Sequence, residues 1–114
     1  MLPKKYRICK YRDLKKIWLS RSFVREGSLK AQYILKNRFG YPRMTVTVSN
    51  KVLPRATKRN YFKRQIRALF AETIKKYPLM GIDLIVSLVD AEAIGNYPED
   101  YKKIITRILN QIKI

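Results

Sequence analysis

The sequence predicts an α+β fold, an α-β sandwich in which helices pack on a central, mostly antiparallel sheet in the order α-β-β-α-β-α. Three observations lead there. The run Met44-Thr-Val-Thr-Val-Ser49 alternates strictly, which puts Met44, Val46 and Val48 on one face of a strand and the hydroxyls on the other. Two stretches, Ala56 to Lys76 and Glu99 to Ile112, repeat apolar residues at helical spacing. Between them Gly81 to Val89 has Ile82, Leu84, Val86 and Leu88 on one side and Ile85 and Val89 on the other. A strand apolar on both sides belongs at the centre of a covered sheet.

The remaining elements follow in chain order. Arg12 to Ser20 reads as a short first helix, with Leu14, Ile17 and Trp18 on one face and Asp13 near its start. Ser20 to Gly27 reads as a loop. Lys30 to Lys36 carries the alternation Ala31, Tyr33, Leu35 and is the first strand. Gly40 and Pro42 make Asn37 to Pro42 a turn. Pro54 or Thr57 marks the start of the long helix, and Pro78 and Gly81 end it. Ala93 to Pro98 is a loop. The last helix starts with Glu99 and Asp100, where its dipole favours acids, and buries Tyr101, Ile104, Ile105, Ile108, Leu109 and Ile112.

Composition bounds the function. The chain has 114 residues, room for one domain spanning residues 1–114, and 46% are hydrophobic, so it folds and is not a basic tail. Residues 1–11 are basic and read as a flexible arm. Lys and Arg number 26 against 8 Asp and Glu, a net charge of +18. Solubility needs a net charge of only about 2–8. The excess opposes folding through self-repulsion, and a polyanionic partner accounts for it. No segment is a basic amphipathic helix with a long open apolar face, so a membrane surface is not expected. A single cysteine, Cys9, rules out an internal disulfide and fits a reducing, cytoplasmic setting.

Histidine is absent, which removes the usual general base at neutral pH and the commonest zinc ligand. The acids are few and scattered, without the convergence a two-metal nuclease needs. No catalytic residue and no metal ligand is expected in this chain.

The basic charge concentrates where the long helix begins. Arg55, Lys58, Arg59, Lys63, Arg64 and Arg67 fall within thirteen residues that hold no acid. At about 100° per residue, Phe62, Ile66, Leu69 and Phe70 share the buried face and Arg59 borders it. Asn60, Lys63, Arg64 and Arg67 then descend one flank. Arginine holds two phosphate oxygens at once, lysine acts as a compact charge, and Asn60 adds a neutral donor and acceptor. No second helix follows a tight turn, so backbone and shape recognition fits better than major-groove reading.

At these residues the chain resembles the protein component of bacterial ribonuclease P. That family's pattern is an alanine, two variable residues, Arg-Asn-Arg-aliphatic-Lys-Arg and another basic residue three further on. Here the stretch is Ala56-Thr57-Lys58-Arg59-Asn60-Tyr61-Phe62-Lys63-Arg64, then Arg67. The strand Thr45 to Ser49 leading to Lys51, and the short helix around Asp13, Leu14 and Trp18, also stand where the family has them. Two positions depart from the motif: Tyr61 replaces its second arginine and Phe62 its aliphatic residue.

The resemblance implies a left-handed β-α-β crossover, as in ribosomal protein S5 domain 2. It implies RNA contacts by Arg59, Asn60, Lys63, Arg64 and Arg67, and the neighbouring cations Arg55, Lys58 and Lys51 are expected to join them. It further implies a cleft between the first helix and the sheet for the single-stranded 5′ leader of precursor tRNA, with Leu14, Trp18 and Tyr33 as its candidates. Leu14 stands where the family has an aromatic residue. By composition alone Trp18 fits the core somewhat better than a stacking role, and both stay open; the resemblance places it in the cleft.

The function implied is that of an accessory subunit of an endoribonuclease. The RNA subunit performs the Mg2+-dependent removal of the leader, with the ion held mainly by that RNA and the substrate. The partners are ribonuclease P RNA and precursor tRNA, with no obligate protein partner, and the protein alone is inactive. The rival is a ribosomal or RNA-assembly protein of similar build with no role in catalysis.

Overall fold

The alternation of Met44 to Thr47 and the two-sided apolarity of residues 82–88 produce neighbouring strands, the second inside the sheet and the first at its edge. A computed structural model describes residues 2–20, 22–35, 37, 39–76, 81–90 and 97–112, leaving aside the side chain of Ile112. The elements are α1 (Tyr11–Leu19), β1 (Phe23–Glu26), β2 (Leu29–Ile34), β3 (Arg43–Thr47), α2 (Ala56–Lys76), β4 (Asp83–Leu88) and α3 (Tyr97–Ile112). The strand order is β1-β2-β4-β3. β2 lies antiparallel to β1 and to β4, whereas β3 and β4 are parallel and joined by the α2 crossover.

β1 is an addition to the expected order, within the segment read as a loop. Only Val24 points inward from it, too little alternation to register as a strand. Its pairing with β2 and a two-residue turn at Gly27-Ser28 define it. Gly27 has φ +55°, and a Cβ there would fall on the Asp100 carboxylate. That carboxylate, buried in the first turn of α3, accepts from Ser28 N (3.0 Å) and Ser28 Oγ (2.9 Å). The hairpin is thereby fixed to α3.

The register sorts the side chains into two layers. Val24, Leu29, Ala31, Tyr33, Met44, Val46, Leu84, Val86 and Leu88 face α2 and α3. They meet Phe62, Ile66 and Phe70 of α2 and Tyr101, Ile104, Ile105 and Ile108 of α3. The helix periods thus deliver the faces their sequences predict, and Leu69 and Leu109 pack at the margin. The expected stop of α2 at Pro78 and most of the Ala93 loop lie outside the described residues; Tyr97 and Pro98 already belong to α3. The side chain of Ile112 is likewise outside them.

On the opposite layer α1 covers only part of the sheet, packing Ile17 with Ile8 and Ile85. Within residues 2–10, read from the sequence as part of a basic arm, Arg7 and Ile8 pair with β3 at Met44. Leu2 and Ile8 are buried, and Ile8 N donates to Met44 O at 2.9 Å. Two apolar side chains and the open hydrogen bonds of an edge strand supply the reason.

Candidate nucleic-acid interface

The cationic flank of α2 exists because Phe62, Ile66 and Phe70 fix the helix's rotation by facing the core. Arg55, Lys58, Asn60 and Arg64 are exposed, and Arg59, Lys63 and Arg67 are half-buried. No acid occupies the first turn of α2. Cations at the positive end of a helix dipole are each unfavourable by about 0.3–1 kcal/mol, so the free protein carries electrostatic strain here. Arg59 is braced from within: its Nη1 donates to Leu53 O (2.7 Å) and Pro54 O (2.9 Å). That ties the helix start to the loop after β3, which also carries the exposed Lys51. Tyr61, where the motif has its second arginine, is 56% exposed.

The flank continues onto the N-terminal segment. Burial, and then the nearby charge of Arg7, pull the Arg67 guanidinium below its ordinary pKa. Arg7 is held by its bridge to Met44 and by Nε donating to Leu2 O at 3.1 Å. The sequence reading did not include Arg7, because the pairing that fixes it at the β3 edge is long-range.

A second feature is built by α1. Arg43, buried at the start of β3, donates from Nε and Nη2 to Asp83 (2.9 and 2.7 Å) and from Nη1 to Asp13 of α1 (3.3 Å). Burial works against the Arg43 charge, but the hydrogen bond and charge of Asp83, followed by those of Asp13, raise its pKa overall. This three-membered clasp holds one flank of α1 at the Ile34–Asp83–Arg43 end of the sheet. Asp13 and Lys16 lie on that flank, around the cavity shared with Asn37 and Phe39. Ile17 points down, so at about 100° per residue Leu14, Trp18 and Tyr11 turn towards the uncovered part of the sheet. Trp18 is 43% exposed and meets Tyr11 edge-on, centroids 6.1 Å apart. It is not a core residue, and Leu14 packs at the margin of the Ile17 cluster.

On this face of the sheet two cross-strand rows lie side by side. One runs Phe23, Gln32, Ile85, Thr45, with Ile85 covered by Ile17 of α1, and the other Arg25, Lys30, Ser87, Thr47. Thr47 Oγ1 and Ser87 Oγ hydrogen-bond at 2.7 Å. Tyr33 is not among these residues, which corrects its expected place in the cleft. It lies on the other face, 2% exposed, with its hydroxyl bonded to Gln111 of α3. Strand parity decides this: Tyr33 shares its face with Ala31 and Leu29, and these fill the core. The structure therefore brings Leu14 and Trp18 together and separates Tyr33 from them.

No three His, Cys, Asp or Glu side chains gather to hold a metal among the described residues. Their carboxylates are engaged structurally where the chemistry is visible: Asp13 and Asp83 with Arg43, Asp100 with Ser28, Glu26 with Arg107. No helix among the described residues is long and apolar enough to cross a membrane.

A folded α+β domain with a one-sided, acid-free cationic helix and an open sheet face is an RNA-binding protein in class. The family model for ribonuclease P matches residues 2–113, and the chain belongs to that family. It is 29% identical to the ribonuclease P protein component of a Pseudanabaena species, over 94% of each chain. It is also 29% identical to that of a Synechocystis species, over 99% of this chain and 90% of the relative. With the Idiomarina loihiensis component it shares 47% identity over 49 residues, 43% of this chain and 39% of the relative. The solved RNase P protein of Staphylococcus aureus superposes with a TM-score of 0.76 at 22% identity, covering 90% of this chain and 94% of that one. The protein is accordingly an accessory, non-catalytic subunit of ribonuclease P that assists RNA-based maturation of tRNA 5′ ends. Family membership places it with ribonuclease P RNA and precursor tRNA.

Proposed function

We propose that the α2 flank is the surface on which this subunit meets RNA, and that the α1 cleft takes the single-stranded leader of precursor tRNA. The observation that carries the reading is the concentration of Arg55, Lys58, Arg59, Asn60, Lys63, Arg64 and Arg67, with Lys51, at an acid-free helix start. Phosphates there relieve the repulsion between like charges and the unfavourable helix-end field together. Arg64 and Lys63 bind by charge. Arg59 keeps Nη1 on the loop carbonyls and offers its remaining donors. Leu14 and Trp18 form the wall of the leader cleft, with Trp18 as the stacking residue.

Magnesium belongs to the RNA subunit and the substrate in this reading. The described residues of the protein offer no converging donor set, and no step is assigned to an ion held by them. The protein's part is to neutralise phosphate charge near the junction, which favours cation binding by the RNA. The site of action is the cytoplasm.

Reconstitution tests the reading. Precursor tRNA, magnesium, the protein and a ribonuclease P RNA are combined, omitting each in turn. Cleavage is expected only when the RNA subunit is present, with the protein raising affinity for precursor. Arg64→Ala should weaken RNA binding and lower the salt-dependence slope by roughly one unit. A folded Arg64→Ala protein with parental affinity and slope would refute the assignment of the flank.

A further inference from the structure

Phe23 is the large apolar side chain that the fold leaves on the open sheet face. It is 57% exposed, although the next residue of β1, Val24, is buried in the core. The ammonium of Lys30 lies over its ring, 5.1 Å from the centroid. Arg25 pairs with Lys30 in the adjacent row. Gln32 is Phe23's cross-strand partner and presents an amide beside it. None of these four positions carries an acid, so this end of the sheet combines a π surface, a hydrogen-bonding side chain and two cations. A single-stranded nucleotide has the complementary parts: a base to stack, edges to pair and a phosphate to neutralise.

Position in the fold makes the match usable. α1 starts near β3, where Ile8 bonds Met44, and ends beside β2, where Ser20 Oγ donates to Ile17 O and Tyr33 O. Trp18 therefore lies towards the β1 side. Phe23 is five residues further along the chain, which limits their Cα separation to about 18 Å. We infer that Phe23 and Lys30 form a nucleotide subsite of this protein at the β1 end of the cleft, where Phe23 stacks on one base of single-stranded RNA and Lys30 meets its phosphate. The inference rests on the leader-cleft reading, and it adds a second aromatic position on the strand that the sequence pattern hides.

The test uses the protein assembled with its RNA subunit and precursor tRNAs whose leaders lengthen one nucleotide at a time, with mature tRNA as reference. Phe23→Ala should weaken binding roughly tenfold once the leader passes a threshold length, and leave mature tRNA unaffected. Phe23→Tyr should keep parental affinity, and Lys30→Gln should lower the salt slope by about one unit for the long leaders alone. If Trp18→Ala shows leader dependence and Phe23→Ala shows none, the subsite is refuted while the cleft reading stands. If neither variant does, both fall. An equal loss on mature tRNA for Phe23→Ala would also overturn the subsite.

Discussion

Arg59 and Arg64 look equivalent in sequence, five residues apart in one basic run, yet their environments differ. Arg59 bonds two loop carbonyls through Nη1, whereas Arg64 is exposed. Arg59→Ala should therefore lower the melting temperature as well as RNA affinity, its stability share being about 1–3 kcal/mol for charge-assisted bonds. Parallel melts of both variants check this, with Arg64→Ala expected to match the parent. Phe62 makes the opposite case. It is 2% exposed between the sheet and Tyr97, and Phe62→Ala should cost about 3–5 kcal/mol by denaturant titration. Tyr101 adds a pH dependence. Burial, partly offset by its 2.9 Å hydrogen bond with Thr73, raises its phenol above the ordinary 10.0. A proton held more tightly in the folded state gives stability that is complete below pH 10 and is lost as pH rises towards the folded value. Tyr101→Phe should show a shallower alkaline loss of stability than the parent, measured by denaturant titration above pH 10.

Among elements, α1 depends most on one polar contact. Its main apolar anchor is Ile17, so its placement rests heavily on the Asp13–Arg43–Asp83 clasp. Asp13→Ala leaves Arg43 bound to Asp83, and the cost should stay near that of a charged hydrogen bond, about 1.5–3 kcal/mol, below the cost of stranding the arginine entirely. The displaced helix should change Trp18 emission in the folded protein. A parental melt together with parental emission would show that the clasp does not position α1. The β1–β2 hairpin is held in a comparable way, by Asp100 reaching back to Ser28 from a helix more than seventy residues later.

For the whole molecule, the net charge of +18 opposes compactness and favours polyanions at once. Added salt screens both effects. Moderate sodium chloride should raise the melting temperature of the free protein while weakening its RNA complex, opposite signs from one variable. A free-protein melt that falls with salt over the same range would contradict a charge-strained fold. The division of labour follows from the family: the chain is an accessory subunit that assists an RNA-based reaction.

The long helix, its buried stripe, the strands at residues 44–47 and 84–88 and the basic flank were legible because they depend on local periodicity and composition. The approximate span of the helix, near Ala56–Lys76, could be read from its apolar spacing. What the tertiary structure alone decided is where surfaces meet. Val24 gives β1 too short a pattern to see, so the strand and the exposed Phe23 emerge only from pairing with β2. Tyr33 and Trp18 are both aromatic and both fit apolar patterns. The first is drawn into the core by its parity with Ala31, and the second is left outside because Ile17 takes the sheet-facing position of α1. Spacing states which residues share a face; only the packing of distant elements, through contacts such as Arg43 to Asp13 and Arg7 to Met44, decides whether that face is covered.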